Sequence, residues 1–171
     1  MTRGAAPSRE ELLALLDAVK DPEVPVLSVV ELGIVRDVHA DEETGGVEVV
    51  ITPTYSGCPA MFEIERDVRA ALESHGVRPV TVRTVFSPAW TTDWIGPEAR
   101  AKLRAYGIAP PGPRSESDTA LVTIGRRVIA IQCPNCQSRD TRRQSEFGST
   151  ACKAIWICNA CGQPFEEFKP L

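Results

Sequence analysis

Among the 171 residues, the six cysteines have the types and spacings that most directly imply chemistry. Cys133-Pro-Asn-Cys136 and Cys158-Asn-Ala-Cys161-Gly162 are two Cys-x-x-Cys turns separated by 21 residues. Each such turn sets two sulfurs on one side with backbone amides aimed at them, and two turns close a tetrahedral metal site. The separation slightly exceeds the roughly 15–20 residues usual for ribbons and suits a β-hairpin insert. Zinc is the expected ion, because so short a tail has little apolar core without a metal staple; iron is the residual alternative. Cys152, beside Lys153, falls outside the pairs. It reads as a small packing residue, with a redox or transfer thiol as the alternative.

The remaining cysteine, Cys58, lies in Thr52-Pro-Thr-Tyr-Ser-Gly-Cys-Pro59. If Pro59 takes the first position of the helix that follows, Cys58 is its N-cap. A thiol there faces unpaired amides and the positive end of the helix dipole, so a lowered pKa is expected. Thr52, Thr54 and Ser56 supply hydroxyls that could bond a thiolate or a metal ligand. A cap cysteine half buried under Tyr55 is the competing reading. Asp21-Pro22-Glu23 carries two carboxylates on an extended segment, read either as a solvated turn or as hard ligands near Cys58.

The elements that must position these groups can be read from the pattern. Ser8 and Glu11 have capping-box spacing, and Leu12, Leu15, Leu16 and Val19 form one helical stripe that must stop before Pro22. Residues 34–40 and 47–52 are β-branched runs flanking Asp-Glu-Glu-Thr-Gly-Gly, which predicts a hairpin. From Pro59 to His75, Met61, Ile64, Val68, Ala71 and Leu72 recur at helical spacing, so an amphipathic helix is expected, closed by Gly76. A third strand over 80–86 and a helix over 97–106 complete an α-β-β-α-β-α domain. Trp90 and Trp94 could share one helical face; His39 and His75 read as residues without chemistry. The predicted organisation is α/β (α+β): a small domain over 1–106, a Pro-rich linker over 107–118, and a β-rich zinc ribbon over 119–171 with strands at 121–131 and 154–157.

Composition bounds the function. With 43% hydrophobic and 25% charged residues the chain should fold. It has no apolar run of roughly 20 residues and no secretory signal, so a cytoplasmic, membrane-free location is expected, where thiols stay reduced. Residues 1–118 carry 12 Lys and Arg against 19 Asp and Glu, while 119–171 carry 7 against 4. That weakly basic tail lacks the dense cationic stripe of a nucleic-acid reader.

The segments DPEVPVLSVVELGIVRDV (21–38), TPTYSGCPAM (52–61), FSPAWTTDWI (86–95), YGIAPP (106–111), CPNC, FGSTACKA (147–154) and CNACGQPFEEFK together resemble the PaaD-like family, whose members belong to the bacterial phenylacetyl-CoA epoxidase complex. The first domain is also similar to iron–sulfur cluster assembly factors, whose Asp-Pro-Glu and Cys-Pro motifs it carries. The resemblance implies a component of aerobic phenylacetate catabolism that acts with a diiron oxygenase and an iron–sulfur flavoprotein reductase and helps mature their metal centres. It implies that Cys58 is the reactive cysteine, Asp21 and Glu23 the acidic motif, and Cys133, Cys136, Cys158 and Cys161 the zinc ligands.

Three functions compete. A maturation factor would hold iron or an iron–sulfur cluster transiently. One cysteine cannot hold a cluster, so a homodimer, a carboxylate or a client's ligand must complete the set. A structural docking component of the oxygenase would leave Cys58 inert. A nucleic-acid-binding ribbon is the weakest of the three. No nucleophile–base pair or nucleotide loop is visible, so an independent catalyst is not expected.

Overall fold

The computed structural model describes residues 7–40, 45–112 and 130–171. The chain divides into two compact units, Met1–Ala99 and Arg100–Leu171. The strand expected over 121–131 and the turn at 41–44 lie largely outside the described residues. No helix among those described is long and apolar enough to cross a membrane.

The first unit opens with α1 (Arg9–Leu16), capped as its sequence predicts: Ser8 Oγ accepts from the Glu11 amide at 3.2 Å, and the Glu11 carboxylate accepts from the Ser8 amide at 2.7 Å. Strands β1 (Val35–Ala40) and β2 (Val47–Ile51) pair antiparallel. Helix α2 (Met61–Ser74) then returns the chain to β3 (Val80–Thr84), which lies parallel to β2 with Thr84 opposite Ile51. This β-α-β unit fixes the geometry of the site. The loop after β2, the start of α2 and the residues after β3 must all lie at one end of the sheet. Leu12, Leu16, Ile51, Ile64, Val68 and Leu72 are fully buried and form the core between helices and sheet.

The segment between α1 and β1 has no regular structure, yet it is tightly held. Asp21 Oδ1 accepts from the amides of Glu23 at 2.8 Å and Val24 at 2.7 Å, closing an Asx turn around Pro22. Val24, Leu27 and Val29 are buried along it. The two tryptophans secure the segment that follows β3, and they do so separately rather than from one helical face. Trp90 is buried and donates its indole N–H to the Leu32 carbonyl at 2.8 Å. Trp94 ends a 3-10 turn over Thr92–Trp94 and stacks beneath the Arg36 guanidinium, 3.5 Å from the ring centroid. A Cβ at Gly33, where φ is +70°, would stand 3.2 Å from Trp94 Cβ, so the backbone angle favours glycine and Trp94 would have to shift to admit a side chain.

Helix α3 (Pro97–Tyr106) spans the division between the units and leads to β4 (Ile108–Ala109). These two strand residues fall inside the segment read as a linker. They pair in parallel with β7 (Pro164–Phe168), in a sheet ordered β4-β7-β6-β5 with β5 (Thr141–Ser145) and β6 (Lys153–Cys158). Among the described residues, Ala109, Cys133, Ala154, Trp156, Cys158 and Phe165 form one buried cluster of this unit, and Leu103, Ile108, Cys152 and Phe168 are buried as well. Its buried polar groups are paired. Trp156 donates to the Glu167 carboxylate at 2.6 Å, and the buried Lys153 ammonium sits 3.2 Å from Glu166. Gly148 allows this packing, since a Cβ there would meet Glu166 Oε1 at 2.7 Å.

Candidate metal centre and candidate thiol site

The sulfurs of Cys133, Cys136, Cys158 and Cys161 all lie within 4.8 Å of one another. Cys133 and Cys161 are 3.9 Å apart, and Cys136 and Cys158 3.5 Å. A disulfide needs about 2.05 Å, so these are thiols. A tetrahedral zinc with Zn–S near 2.3 Å sets its sulfurs about 3.8 Å apart, close to the 3.9 and 3.5 Å of these two pairs. All-thiolate tetrahedral sets suit zinc or iron–sulfur chemistry.

The two turns are built alike. Gln137 N–H donates to the Cys133 carbonyl at 2.9 Å, and Gly162 N–H donates to the Cys158 carbonyl at 2.8 Å. Both closing residues have positive φ, +64° at Gln137 and +74° at Gly162. Glycine carries that angle freely, whereas for glutamine it costs roughly 1–2 kcal/mol, so the first turn depends on the rest of the site to hold its shape. The Cys161 amide, ahead of the neighbouring thiols of Cys136 and Cys161, draws the Cys158 thiol down to about 7. Cys152 is not one of the four. It is buried, 3.0 Å from the Thr150 hydroxyl, in agreement with a packing role.

The second site lies in the first unit. Helix α2 starts at Met61 with Ala60 as N-cap and no side-chain cap, so Cys58 is not the N-cap expected from Pro59. Residues 58–61 form a turn instead, with the Met61 amide bonded to the Cys58 carbonyl at 3.3 Å. The expected lowering of the Cys58 pKa is reversed as well. Burial is the main cause, and the carboxylates of Glu23 and Asp21 add to it. Together they outweigh hydrogen bonds from the Ala60 amide and the Thr54 hydroxyl, and the thiol is pushed up. Asp21 and Glu23 thus lie within electrostatic reach of Cys58. Thr52 follows β2 directly. It is fully buried, and its Oγ1 has no hydrogen-bond partner among the described residues. Such an orphan costs about 1–3 kcal/mol.

Cys58, Asp21 and Glu23 do not gather as the ribbon cysteines do. Among the described residues, Cys133, Cys136, Cys158 and Cys161 alone bring three or more cysteine, histidine or carboxylate ligand atoms together within metal-sharing distance. Any ion held at Cys58 therefore needs ligands from elsewhere.

Comparison with known proteins agrees with both halves. The family described as "Iron-sulfur cluster assembly protein" matches residues 9–84, and the "PaaD zinc beta ribbon domain" matches residues 117–169. Over 165 residues the chain is 44% identical to an Escherichia coli (strain K12) protein named as one component of a "Putative 1,2-phenylacetyl-CoA epoxidase", covering 96% of this chain and 94% of that one. The chain belongs to the PaaD-like family of phenylacetyl-CoA epoxidase components. Further relatives match the first half of the chain. A Porphyromonas gingivalis "Fe-S protein maturation auxiliary factor" is 37% identical over 97 residues, covering 56% of this chain and 90% of its own. A crystal structure of a domain of unknown function, DUF59, from Bacillus anthracis superposes with TM-score 0.52 at 34% identity, covering 56% of this chain and 90% of that one. The PaaD-like family thus joins an assembly-factor-like α/β unit to a four-cysteine ribbon. Cys58, Asp21, Glu23 and Thr52 all fall within the assembly-protein match and the four clustered cysteines within the ribbon match.

The raised Cys58 pKa has a direct readout. At pH 7.5 Cys58 should alkylate with iodoacetamide more slowly than free cysteine, whose pKa is about 8.5, because a smaller fraction is thiolate. Glu23→Gln removes one of the opposing charges and should speed the reaction. Mass-spectrometric mapping follows both rates. A parent rate above that of free cysteine would restore the dipole-activated thiol.

Proposed function

We propose that this protein is an accessory maturation factor of a phenylacetyl-CoA epoxidase system, which helps place iron or an iron–sulfur centre in the oxygenase or in its reductase and has no catalytic cycle of its own. In this reading Cys58 is the working thiol, Asp21 and Glu23 supply its field, and Thr52 offers a buried hydroxyl. The ribbon cysteines hold structural zinc.

One observation carries the reading. A half-buried thiol stands at the carboxyl end of the parallel strands, in the field of two carboxylates. That field disfavours a lone thiolate, and for the same reason it favours an arriving cation. As iron approaches, its charge offsets the carboxylates and the penalty on the thiolate falls, so deprotonation of Cys58 is coupled to loading. A thiol that ionises only with its cargo is suited to brief holding and release. Similarity to proteins named for iron–sulfur maturation and for phenylacetyl-CoA epoxidase supports the same assignment.

The test is the iron and acid-labile sulfide content of oxygenase and reductase purified from cells with and without this protein. Lower content in at least one of the two is expected. Unchanged content in both leaves the structural docking reading, which the use of Asp21 in its own turn favours.

A further inference from the structure

We propose that the end of the first unit that carries Cys58 is the docking face for a basic, apolar segment of the client polypeptide, with Phe62 and Phe86 as its anchors. The inference rests on the maturation reading and names the kind of partner that site takes.

Chain topology places the two rings. Phe62 is in the first turn of α2, which begins where the loop after β2 ends. Phe86 follows β3, and Thr84 of β3 stands opposite Ile51, the last residue of β2. Both rings therefore leave the fold at the end that carries Thr52 and Cys58. Phe62 is 78% exposed and Phe86 66% exposed. One exposed aromatic is ordinary, but two at the end of the sheet that carries Cys58 leave apolar area that a partner would bury. Aromatic side chains are also the residues that most often anchor protein interfaces.

Charge decides between a second copy and a different protein. The charges that oppose the Cys58 thiolate are the carboxylates of Glu23 and Asp21, and Glu63 lies beside Phe62 in the first turn of α2. Residues 1–99 as a whole carry 8 Lys and Arg against 17 Asp and Glu. A two-fold pairing through Cys58 would set these carboxylates against their own copies, and like-charge juxtaposition is strongly disfavoured. A client with basic residues beside apolar ones meets both features at once. It also supplies the missing ligands, since Cys58, Asp21 and Glu23 do not form a closed set and one thiol cannot hold a cluster.

The experiment uses the full chain with a photoreactive benzoyl-phenylalanine at Phe62 or Phe86, co-expressed with the oxygenase and reductase proteins. Both positions should cross-link to one of those proteins, with yield falling as salt rises. The same label at Phe147, 63% exposed but in the second unit, is the control and should not match that yield. Cross-links only between copies of this chain, or equal yield from Phe147, overturn the proposal. A second arm measures client metal content with a Phe62→Ser/Phe86→Ser variant, checked for parental zinc content and melting midpoint, alongside Cys58→Ala. Severalfold loss in both is expected. Loss in Cys58→Ala alone removes the docking face and leaves the maturation reading intact; loss in neither removes both.

Discussion

Cys133→Ser or Cys161→Ser should strip the metal from the second unit and unfold it, while Cys152→Ser keeps both metal and fold. The physical reason is that two of the proposed ligands, Cys133 and Cys158, are themselves part of the buried cluster with Ala109, Ala154, Trp156 and Phe165. Removing a ligand therefore opens that cluster and forfeits the metal, and a structural zinc contributes an apparent ~10–16 kcal/mol in comparable small modules. Losing one of four ligands also releases the Gln137 turn, whose positive φ is tolerated only while the site holds it. Cys152 is buried but lies outside the four, so serine there should cost about 1 kcal/mol and leave stoichiometry unchanged. Elemental analysis of the parent should give close to one zinc per chain, and thermal melts should show loss of the ribbon transition in the ligand variants. A Cys133→Ser protein with full zinc would mean that the ligands are wrongly chosen, and a parent containing only iron would replace zinc with iron.

The ribbon was legible because its signal is spacing, which survives without knowledge of the fold. Gln137 was not, since nothing in its side chain announces a left-handed backbone; only its equivalence to Gly162, each one residue past the second cysteine of its turn, could have shown it. The first unit was legible in its elements and not in its details. Period-2 and period-3.6 patterns marked β1, β2, β3 and α2, but Pro59 suggested a helix start two residues earlier than Met61. That small shift removed Cys58 from the cap position, and with it the dipole argument for an activated thiol. Burial acts on the thiol instead, helped by carboxylates more than thirty residues away in sequence, and no local pattern could weigh either against the dipole. Ile108 and Ala109 escaped for a different reason. Two apolar residues between Gly107 and Pro110 are too few to show a period, and their strand forms because β7 offers them a partner.

Cys58→Ala should leave the fold nearly unchanged and abolish metal loading of the client. The thiol is half buried and its turn is held by backbone bonds, from the Cys58 amide to the Tyr55 carbonyl at 3.2 Å and from the Met61 amide to the Cys58 carbonyl at 3.3 Å. Neither bond uses the side chain, so the cost should be about 1 kcal/mol or less. Zinc content should stay at the parental level, because the ribbon ligands belong to the other unit. Loading differs in kind. With no sulfur at residue 58, Asp21 is committed to the amides of Glu23 and Val24, and Glu23 with the Thr52 hydroxyl offers an incoming iron only weak oxygen donors. Growth on phenylacetate as sole carbon source reads this out in cells, and iron content of the purified oxygenase and reductase reads it out directly. Cys58→Ser separates thiol chemistry from shape, since it keeps the volume and a hydrogen-bonding group while removing the soft ligand, and it should fail as Cys58→Ala does. If Cys58→Ala supports growth and iron loading as well as the parent does, the thiol is a packing residue, and the protein's contribution to the epoxidase is structural.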